Sequence, residues 1–333
     1  MNSKVNSTIN STINSKTETQ ENSYIEQAKP APNVYIDSGL SLLNVEEGHR
    51  IQGMVRGAAK KHLGNRFSLN AGLPLWPSSF FNLDKAQVFV NAKTCDKEEV
   101  VRLCSQGLVE ESLIIEKCGM AFCAKMSALA DSIDERMFYN LMSAEEAIHY
   151  HQISQFLPDG GAGVSPNPFH LLLARLIENG DRDSLVFIIQ VVLEGWGISH
   201  YKVLADSCTD PQFCFELREI LKDESRHHGV GVIFSKQRGL NELSRDFVVE
   251  VMVEFLQMVQ LGPQAVVNAV EVVLGQLSRE HKIELFQQLD GEKESAASLQ
   301  TLRSLMLQNG GEAIVQRLDI HHSFTPYSAE NCL

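Results

Sequence analysis

Two copies of one acidic pattern constrain this chain more than any other feature. In each copy a lone Glu is followed thirty residues later by an E-x-x-H unit, since 146 − 116 and 224 − 194 are equal. Such agreement between distant segments predicts one shared site rather than isolated surface groups. The two copies comprise Glu116, Glu146, His149, Glu194, Glu224 and His227.

The E-x-x-H unit alone is weak evidence. A Glu and a His three residues apart lie on the same face of a helix, so both can reach one metal ion. The chain also carries Glu46 and His49 at this spacing, with no Glu thirty residues earlier. We interpret that pair as a surface segment, so the prediction rests on the two equal intervals.

The midpoints of the two intervals coincide with turn signals. Residue 131 lies within Ala130–Asp134, and residue 209 lies within Cys208–Pro211, where an N-cap precedes proline. About 15 residues at a rise of about 1.5 Å place each ligand roughly 22 Å from its turn. All six ligands can therefore share one layer of a four-helix bundle, which is the arrangement of di-iron and di-manganese carboxylate sites.

The residues before Glu194 support a buried site. The stretch from Leu185 to Leu193 is apolar apart from one Gln, as expected of a helix surrounded by protein. A buried carboxylate is costly unless it is paired or bound to a metal. Four ionised Glu balance the charge of two divalent cations when both His are neutral.

The fold expected is all-α, with one long crossover between two helical hairpins and extra helices at both ends. Residues 1–32 are predicted to be a disordered Asn/Ser/Thr-rich tail, and residues 33–333 a single domain. Its four-helix core covers about 96–237 and a C-terminal helical extension covers 243–320, with three or four helices expected over 243–309. The predicted helices lie near 45–62, 96–129, 133–156, 169–178, 183–207 and 211–237.

Composition disfavours some partners and compartments. A net charge of −13 and a pI near 5.3 argue against nucleic acid and anionic membranes. No run approaches eighteen apolar residues, and the polar start lacks the apolar region of a signal peptide. The seven cysteines form no C-x-x-C pair, and their odd number without a signal sequence favours reduced thiols and a cytoplasmic location.

In spacing and residue type the ligand pattern resembles the ferritin-like di-iron carboxylate superfamily over about residues 96–237. The resemblance implies a ferritin-like bundle holding two iron ions, with manganese in place of one iron as an alternative. It implies that Glu116 and His149 bind one ion and that Glu194 and His227 bind the other. The second Glu of each copy would bridge or chelate, so we expect the catalytic carboxylates to be Glu146 and Glu224.

The resemblance also implies supporting residues. In this superfamily the residue before each E-x-x-H often orients the His of the opposite helix. That pairs Glu145 with His227 and Asp223 with His149, although both carboxylates facing solvent is the alternative. Tyr150 is the best further candidate for contact with a ligand.

Four residues near the ligands are expected to line a substrate pocket, namely Gly119, Met120, Gly195 and Gly197. The two glycines after Glu194 would leave room for substrate or permit a π-bulge, while close helix packing is an equal alternative. His200 and Tyr201, like His151 and His228, are expected to point to other faces and to serve structure.

Departures from known branches leave the reaction open. Ile153 stands where ribonucleotide reductase small subunits carry a radical Tyr, and Ile220 stands where arylamine N-oxygenases carry a third His. Gly197 and Ile198 occupy positions where bacterial multicomponent hydroxylases and acyl-carrier-protein desaturases have Thr. The segment 223–227 is nonetheless similar to the second desaturase motif, and the short ligand spacing is similar to that of aldehyde-deformylating oxygenases and rubrerythrins.

The function expected is that of an O2-using di-iron oxygenase or oxidase acting on a small or acyl-type organic substrate. Hydroxylation, desaturation and N-oxygenation all fit, with an external electron donor such as a ferredoxin or reductase, and a homodimer is a further option. The alternative is a ferroxidase- or peroxidase-type iron-handling protein without organic substrate; a scaffold with a structural metal is weaker. The long segments on both sides of the core favour the enzyme, because they suit a covered pocket.

Overall fold

The protein is described by a computed structural model over residues 33–45, 48–63, 72–161 and 164–333. These residues form helices and connecting loops, with no strand among them, so the all-α prediction is confirmed for the part of the chain described. The predicted tail at 1–32 lies outside the described residues, as does Glu46 of the surface E-x-x-H pair. His49 is exposed ahead of the first helix.

Thirteen α-helices and one π-helical segment are present in the described ranges. The core helices are α3 (Thr94–Leu129), α4 (Ile133–Ser154), α6 (Arg182–Leu185), the π segment (Val186–Leu193), α7 (Glu194–Ser207) and α8 (Pro211–Arg238). The others are α1 (Arg50–Leu63), α2 (Gln87–Val90), α5 (Pro168–Asn179), α9 (Glu242–Gln260), α10 (Gln264–Leu274), α11 (Arg279–Gln288), α12 (Gly291–Gln308) and α13 (Glu312–Ile320). Short 3₁₀ turns occupy Ser78–Phe81, Leu83–Lys85, Pro158–Gly161 and Ala329–Asn331.

The core helices begin and end within two residues of the bounds predicted from sequence. The prediction was less accurate for the first helix. The first helix begins at Arg50 rather than near 45. Residues 243–309 contain four helices, as expected, and α13 follows them.

Hydrogen bonds at two heights establish that α3 and α4 run antiparallel. Near the turn, the Ser127 hydroxyl donates to Asn140 Oδ1 over 2.9 Å. Far from the turn, Glu116 Oε2 lies 3.3 Å from His149 Nδ1. Residue numbers therefore increase along one helix in the direction in which they decrease along the other.

The second pair of core helices is antiparallel by the same criterion. Gln190 Nε2 donates to the carbonyl of His227 over 3.2 Å, and near the turn the Cys214 thiol donates to the carbonyl of Ala205 over 3.1 Å. Between the pairs, Gln152 Nε2 donates to Glu216 Oε2 over 2.6 Å, so α4 packs along α8. These contacts bring α4 and α8 side by side at the level of the E-x-x-H units.

The predicted turn signals act as helix caps. Ser132 Oγ accepts the backbone N–H of Glu135 over 3.1 Å at the start of α4. Asp210 Oδ1 accepts the backbone N–H groups of Gln212 and Phe213 over 2.9 and 2.8 Å, with Pro211 as the first residue of α8. Both caps satisfy donors that the first helical turn leaves unpaired.

Two apolar clusters lie on either side of the ligand level. One packs the halves of α3 and α4 nearest their turn with α5, the π segment, α9, α12 and α13. The other packs the opposite halves of α3 and α4 with α7, α8, α10 and α11. The C-terminal helices therefore cover the core within the same chain, and the six Glu and His side chains lie where the clusters meet.

The continuous helical stretch Arg182–Ser207 is long and apolar enough to span a membrane by length and composition alone, which is weak evidence. In the apolar part of this stretch, 61% of the residues are buried inside the protein, as in a core helix. No other described helix meets those criteria.

Candidate metal centre

The six Glu and His residues of the two sequence copies come together inside the protein. α3 supplies Glu116, α4 supplies Glu146 and His149, α7 supplies Glu194, and α8 supplies Glu224 and His227. All are buried except Glu194, which is half-buried. The equal intervals in sequence thus correspond to one layer in space.

The ligand atoms form two groups that share one carboxylate. Glu116, Glu146, His149 and Glu224 each offer an atom within 4.8 Å of the others, and so do Glu194, Glu224 and His227. This buried cluster could hold a metal ion. Glu224 belongs to both groups because its two oxygens face different histidines, with Oε1 3.5 Å from His149 Nδ1 and Oε2 3.6 Å from His227 Nδ1.

Both histidines turn Nδ1 towards the cluster and Nε2 away from it. His227 Nε2 lies 2.8 Å from Glu145 Oε2, and His149 Nε2 lies 3.3 Å from Asp223 Oδ2. These are the two cross-helix pairs named from the sequence. Since an ionised carboxylate can only accept, it favours a proton on Nε2 and leaves Nδ1 available to a cation.

Arg226 is a residue that sequence reasoning missed. Its Nη2 donates to Glu145 Oε1 over 2.6 Å and to Asp223 Oδ1 over 2.8 Å, so one guanidinium joins the two carboxylates that contact the histidines. The available signal was its position three residues after Asp223, where an i,i+3 ion pair forms on a helix. Arg226 occupies the second x of the E-x-x-H unit, a position to which the motif assigns no role.

Without a metal, the four carboxylates of this cluster outnumber the positive charges that its two histidines can supply. Burial and the neighbouring carboxylates hold the pKa of Glu146 and of Glu194 well above the usual range. Burial lowers the pKa of His149 and His227, but hydrogen bonds to carboxylates outweigh it and raise each pKa to about 10. In the metal-free protein, bound protons and charged imidazolium rings therefore offset the negative charge of the carboxylates. A divalent cation would take over this role.

Two buried atoms of the ligand cluster also lack a hydrogen-bond partner among the described residues. They are Glu194 Oε2 and His227 Nδ1, and both residues belong to the same ligand group. A buried acceptor without a partner is costly unless an ion or water satisfies it. Nitrogen and carboxylate donors of this kind suit iron, manganese or zinc, so the residues present fit a metal ion.

No protein-family model, curated protein or solved structure matches this chain. The function is therefore inferred from the donor atoms and their geometry.

Tyr201 contacts the cluster directly, contrary to the expectation that it serves structure elsewhere. Its hydroxyl donates to Glu116 Oε1 over 2.7 Å. Glu194, Gly197 and Tyr201 follow one another at i, i+3 and i+7, which places them on one helix face. That spacing was the signal in the sequence, and it went unused.

A cavity of about 110 Å³ adjoins the cluster and is bounded mainly by α3, α5, the π segment and α7. Glu116, Glu146, Glu194 and Glu224 lie in its wall, and the rest of the wall is mainly apolar. Gly119 and Gly197 line it, as does His200, which was expected to face elsewhere. At Gly197 an added Cβ would meet nothing within 4 Å, so this glycine leaves open space.

Gly119 has a second effect on the cluster. A Cβ at this position would lie 2.6 Å from Glu146 Oε2, closer than Cβ contacts in proteins. The missing side chain therefore makes room for the carboxylate of Glu146 on the facing helix.

Three expectations about neighbouring residues were wrong. Met120 does not line the cavity, because it is turned about 100° from Gly119 around the helix. Gly195 packs closely instead, since its added Cβ would lie 2.8 Å from His228 Cε1 and 3.1 Å from Leu305 Cδ2. Tyr150 points outwards, with its hydroxyl 3.4 Å from Asn44 Oδ1, because it follows His149 by one residue and so leaves the ligand face.

The π segment ends immediately before Glu194. For the two glycines after Glu194, a π-bulge, open space and close packing were the alternatives. The π turn precedes both glycines, Gly197 borders open space, and Gly195 is packed. The wider π turn shifts the register of every residue after it, which aligns Glu194, Gly197 and Tyr201 with the cluster.

Proposed function

We propose that this protein is an O2-dependent di-iron oxidoreductase of the ferritin-like superfamily that oxidises a small or acyl-type organic substrate. The observation that carries the proposal is the pair of buried ligand groups sharing Glu224, beside an apolar cavity. The antiparallel pairs α3–α4 and α7–α8, joined by the long connection through α5, support a ferritin-like bundle.

Two iron ions bound here would supply the activation of O2 and the redox capacity that side chains lack. The residues that would hold them are the six Glu and His ligands. Glu145 and Asp223 would fix the tautomers of the two histidines by accepting hydrogen bonds from their Nε2–H groups, and Arg226 would keep both carboxylates in place. The hydroxyl of Tyr201 would orient Glu116 through its hydrogen bond.

The cavity wall would provide the second requirement of such an enzyme, a dry site for an organic substrate. Phe122, Leu173, Ile177 and Leu193 line the cavity near the carboxylates, and such walls exclude water while favouring apolar substrate atoms. An iron-storage or peroxide-removing protein needs no such compartment. This wall is the reason to prefer oxidation of an organic substrate over iron handling.

The test is anaerobic loading of the full chain with ferrous iron, followed by exposure to O2 and stopped-flow absorption. The expected result is about two iron ions per chain and absorption changes whose decay accelerates with an organic substrate. Growth of ferric mineral in place of a stoichiometric reaction would favour the iron-handling alternative. Absence of metal binding would overturn the proposal.

A further inference from the structure

A groove of about 1000 Å³ lies on the outer side of the metal cavity. Parts of α3, α7, α10 and α12 form its walls, together with the start of α5. Its lining is mostly apolar, with amides and hydroxyls from Asn268, Ser199 and Ser298 among the exceptions. This volume is large enough for a drug-sized organic molecule.

Four residues line both the cavity and the groove, so the two spaces are adjacent. They are Leu108 and Glu111 from α3, with Trp196 and His200 from α7. The rings of Trp196 and His200 stack at a centroid distance of 5.8 Å. We call these four residues the neck.

The two spaces differ in the size of ligand that they can hold. The inner cavity, at about 110 Å³, is smaller than a cavity of about 150 Å³ that holds benzene, so it suits a narrow apolar group. The groove is about nine times larger, since 1000/110 is close to 9. A molecule that reaches the carboxylates must therefore be thin at the inner end, and any bulky part must remain in the groove.

The charges along this path disfavour an anionic ligand. The groove is lined by Glu110 and Glu294 against one ammonium group, that of Lys293. The chain as a whole carries a charge of −13. At the neck, burial raises the pKa of Glu111 and lowers the pKa of His200, which disfavours the charged form of each.

From these observations we infer the substrate class of the metal centre. It is a two-part molecule, with a linear apolar chain that enters the cavity through the neck and a larger uncharged polar body that remains in the groove. The inference rests on the proposed function for the reaction, but the binding of such a molecule can be tested without it. Trp196 would lie beside the chain where it passes the neck.

The probes are two amphiphiles with the same eight-carbon chain, octyl glucoside as the uncharged one and octyl phosphate as the anionic one. Each is titrated below its micellar concentration into the full metal-free chain, and binding is followed by calorimetry and by the fluorescence of Trp196. Trp76 is the other tryptophan; it is buried behind Phe80 and lines neither the groove nor the cavity. A Trp196→Phe variant assigns the signal.

We expect octyl glucoside to bind at least tenfold more tightly than octyl phosphate. Gly197→Leu should weaken octyl glucoside at least tenfold, because the new side chain enters open cavity space. Ser112→Leu fills the same cavity from α3 and should act in the same direction. Gly229→Leu is the matched control, since Gly229 also has open space around it but lines neither the cavity nor the groove.

Equal or tighter binding of octyl phosphate would overturn the inference, and so would octyl glucoside binding that neither cavity-filling variant weakens. Iron content is measured on the same samples after loading. If the unmodified chain binds no iron, the proposed function is contradicted, while the probe result remains valid. Normal iron binding with no probe selectivity would contradict the substrate class alone.

Discussion

The carboxylate of Glu145 lies 2.8 Å from Nε2 of His227 and joins α4 to α8 at the edge of the ligand cluster. Burial raises the pKa of Glu145, but hydrogen bonds from His227 and Arg226 outweigh this effect and lower the pKa overall. The ionised carboxylate accepts a hydrogen bond from Nε2–H, and Nδ1 lies 3.3 Å from Glu146 Oε1 and 3.6 Å from Glu224 Oε2. One contact thus fixes the side of the ring that faces a metal.

Replacing this carboxylate should weaken metal binding without removing a ligand. Glu145→Ala is expected to lower metal affinity about 10- to 100-fold, because His227 loses the partner that sets its tautomer and orientation. Competition with a chelator of known affinity measures the change. Glu219→Ala removes a carboxylate on the outer face of α8 that pairs with Lys222, and it should leave the affinity unchanged. Equal affinities for both variants would contradict the role given to Glu145.

Gly119→Ala is expected to lower metal binding although alanine favours helices. The new methyl group would lie 2.6 Å from Glu146 Oε2 and displace that carboxylate. Gly107→Ala is the matched control on the same helix, because its Cβ would meet nothing within 4 Å. The control should raise stability by about 1 kcal/mol with full metal content. Metal analysis and thermal unfolding of both variants decide the matter, and full metal content in Gly119→Ala would rule out the proposed clash.

The shared carboxylate should matter more for metal content than an unshared one. Glu224→Ala is expected to bring the metal content close to zero, since Glu224 belongs to both ligand groups. Glu194→Ala removes a ligand from one group only and should retain about half of the metal. Elemental analysis of protein loaded with ferrous iron measures both. Circular dichroism confirms folding, and equal losses in the two variants would argue against two groups.

His170 should make the stability of the metal-free protein depend on pH. Its Nδ1 accepts the backbone N–H of Asn167 over 3.0 Å, and burial lowers its pKa from 6.5 to about 4. The unfolded chain therefore binds a proton between pH 6.5 and about 4 that the folded chain does not, so stability falls as pH falls through this window. The full effect, reached near pH 4, is up to roughly 3 kcal/mol.

His170→Gln tests this assignment, because glutamine at the third helical position can still accept the N-cap N–H but does not titrate. Urea unfolding at pH 7 and at pH 4.5 should reveal a smaller loss of stability in the variant than in the unmodified chain. If the two proteins lose the same stability, His170 is not the titrating group.

The sequence was sufficient to predict the features that depend on regular spacing along the chain. Equal intervals, helix periodicity and the capping residues Ser132 and Asp210 are local signals, so the core helices and the meeting of six ligands could be predicted. The contacts of Glu145 and Asp223 with the histidines followed from a resemblance. Tyr201 and Arg226 were missed because each was read as a neighbour in sequence rather than by its helix face.

The pocket residues were less predictable, for a physical reason. Met120, Gly195 and Tyr150 lie close to ligands along the chain, yet a rotation of about 100° per residue sends neighbours to different faces. Only packing decided that Gly195 meets α8 and α12 while Gly197 borders open space. The π segment added a further register shift, which depends on how the surrounding helices cover it.

The sequence by itself determined the helical class, the extent of the core helices and the chemical nature of the buried cluster. Spacing along a helix is a local property, so a single chain records it directly. The tertiary structure alone decided that Glu224 faces both histidines, that Gly119 accommodates Glu146, and that the cavity and a wide groove share the four residues of the neck. These features depend on distances between helices, which packing sets and which no single segment encodes.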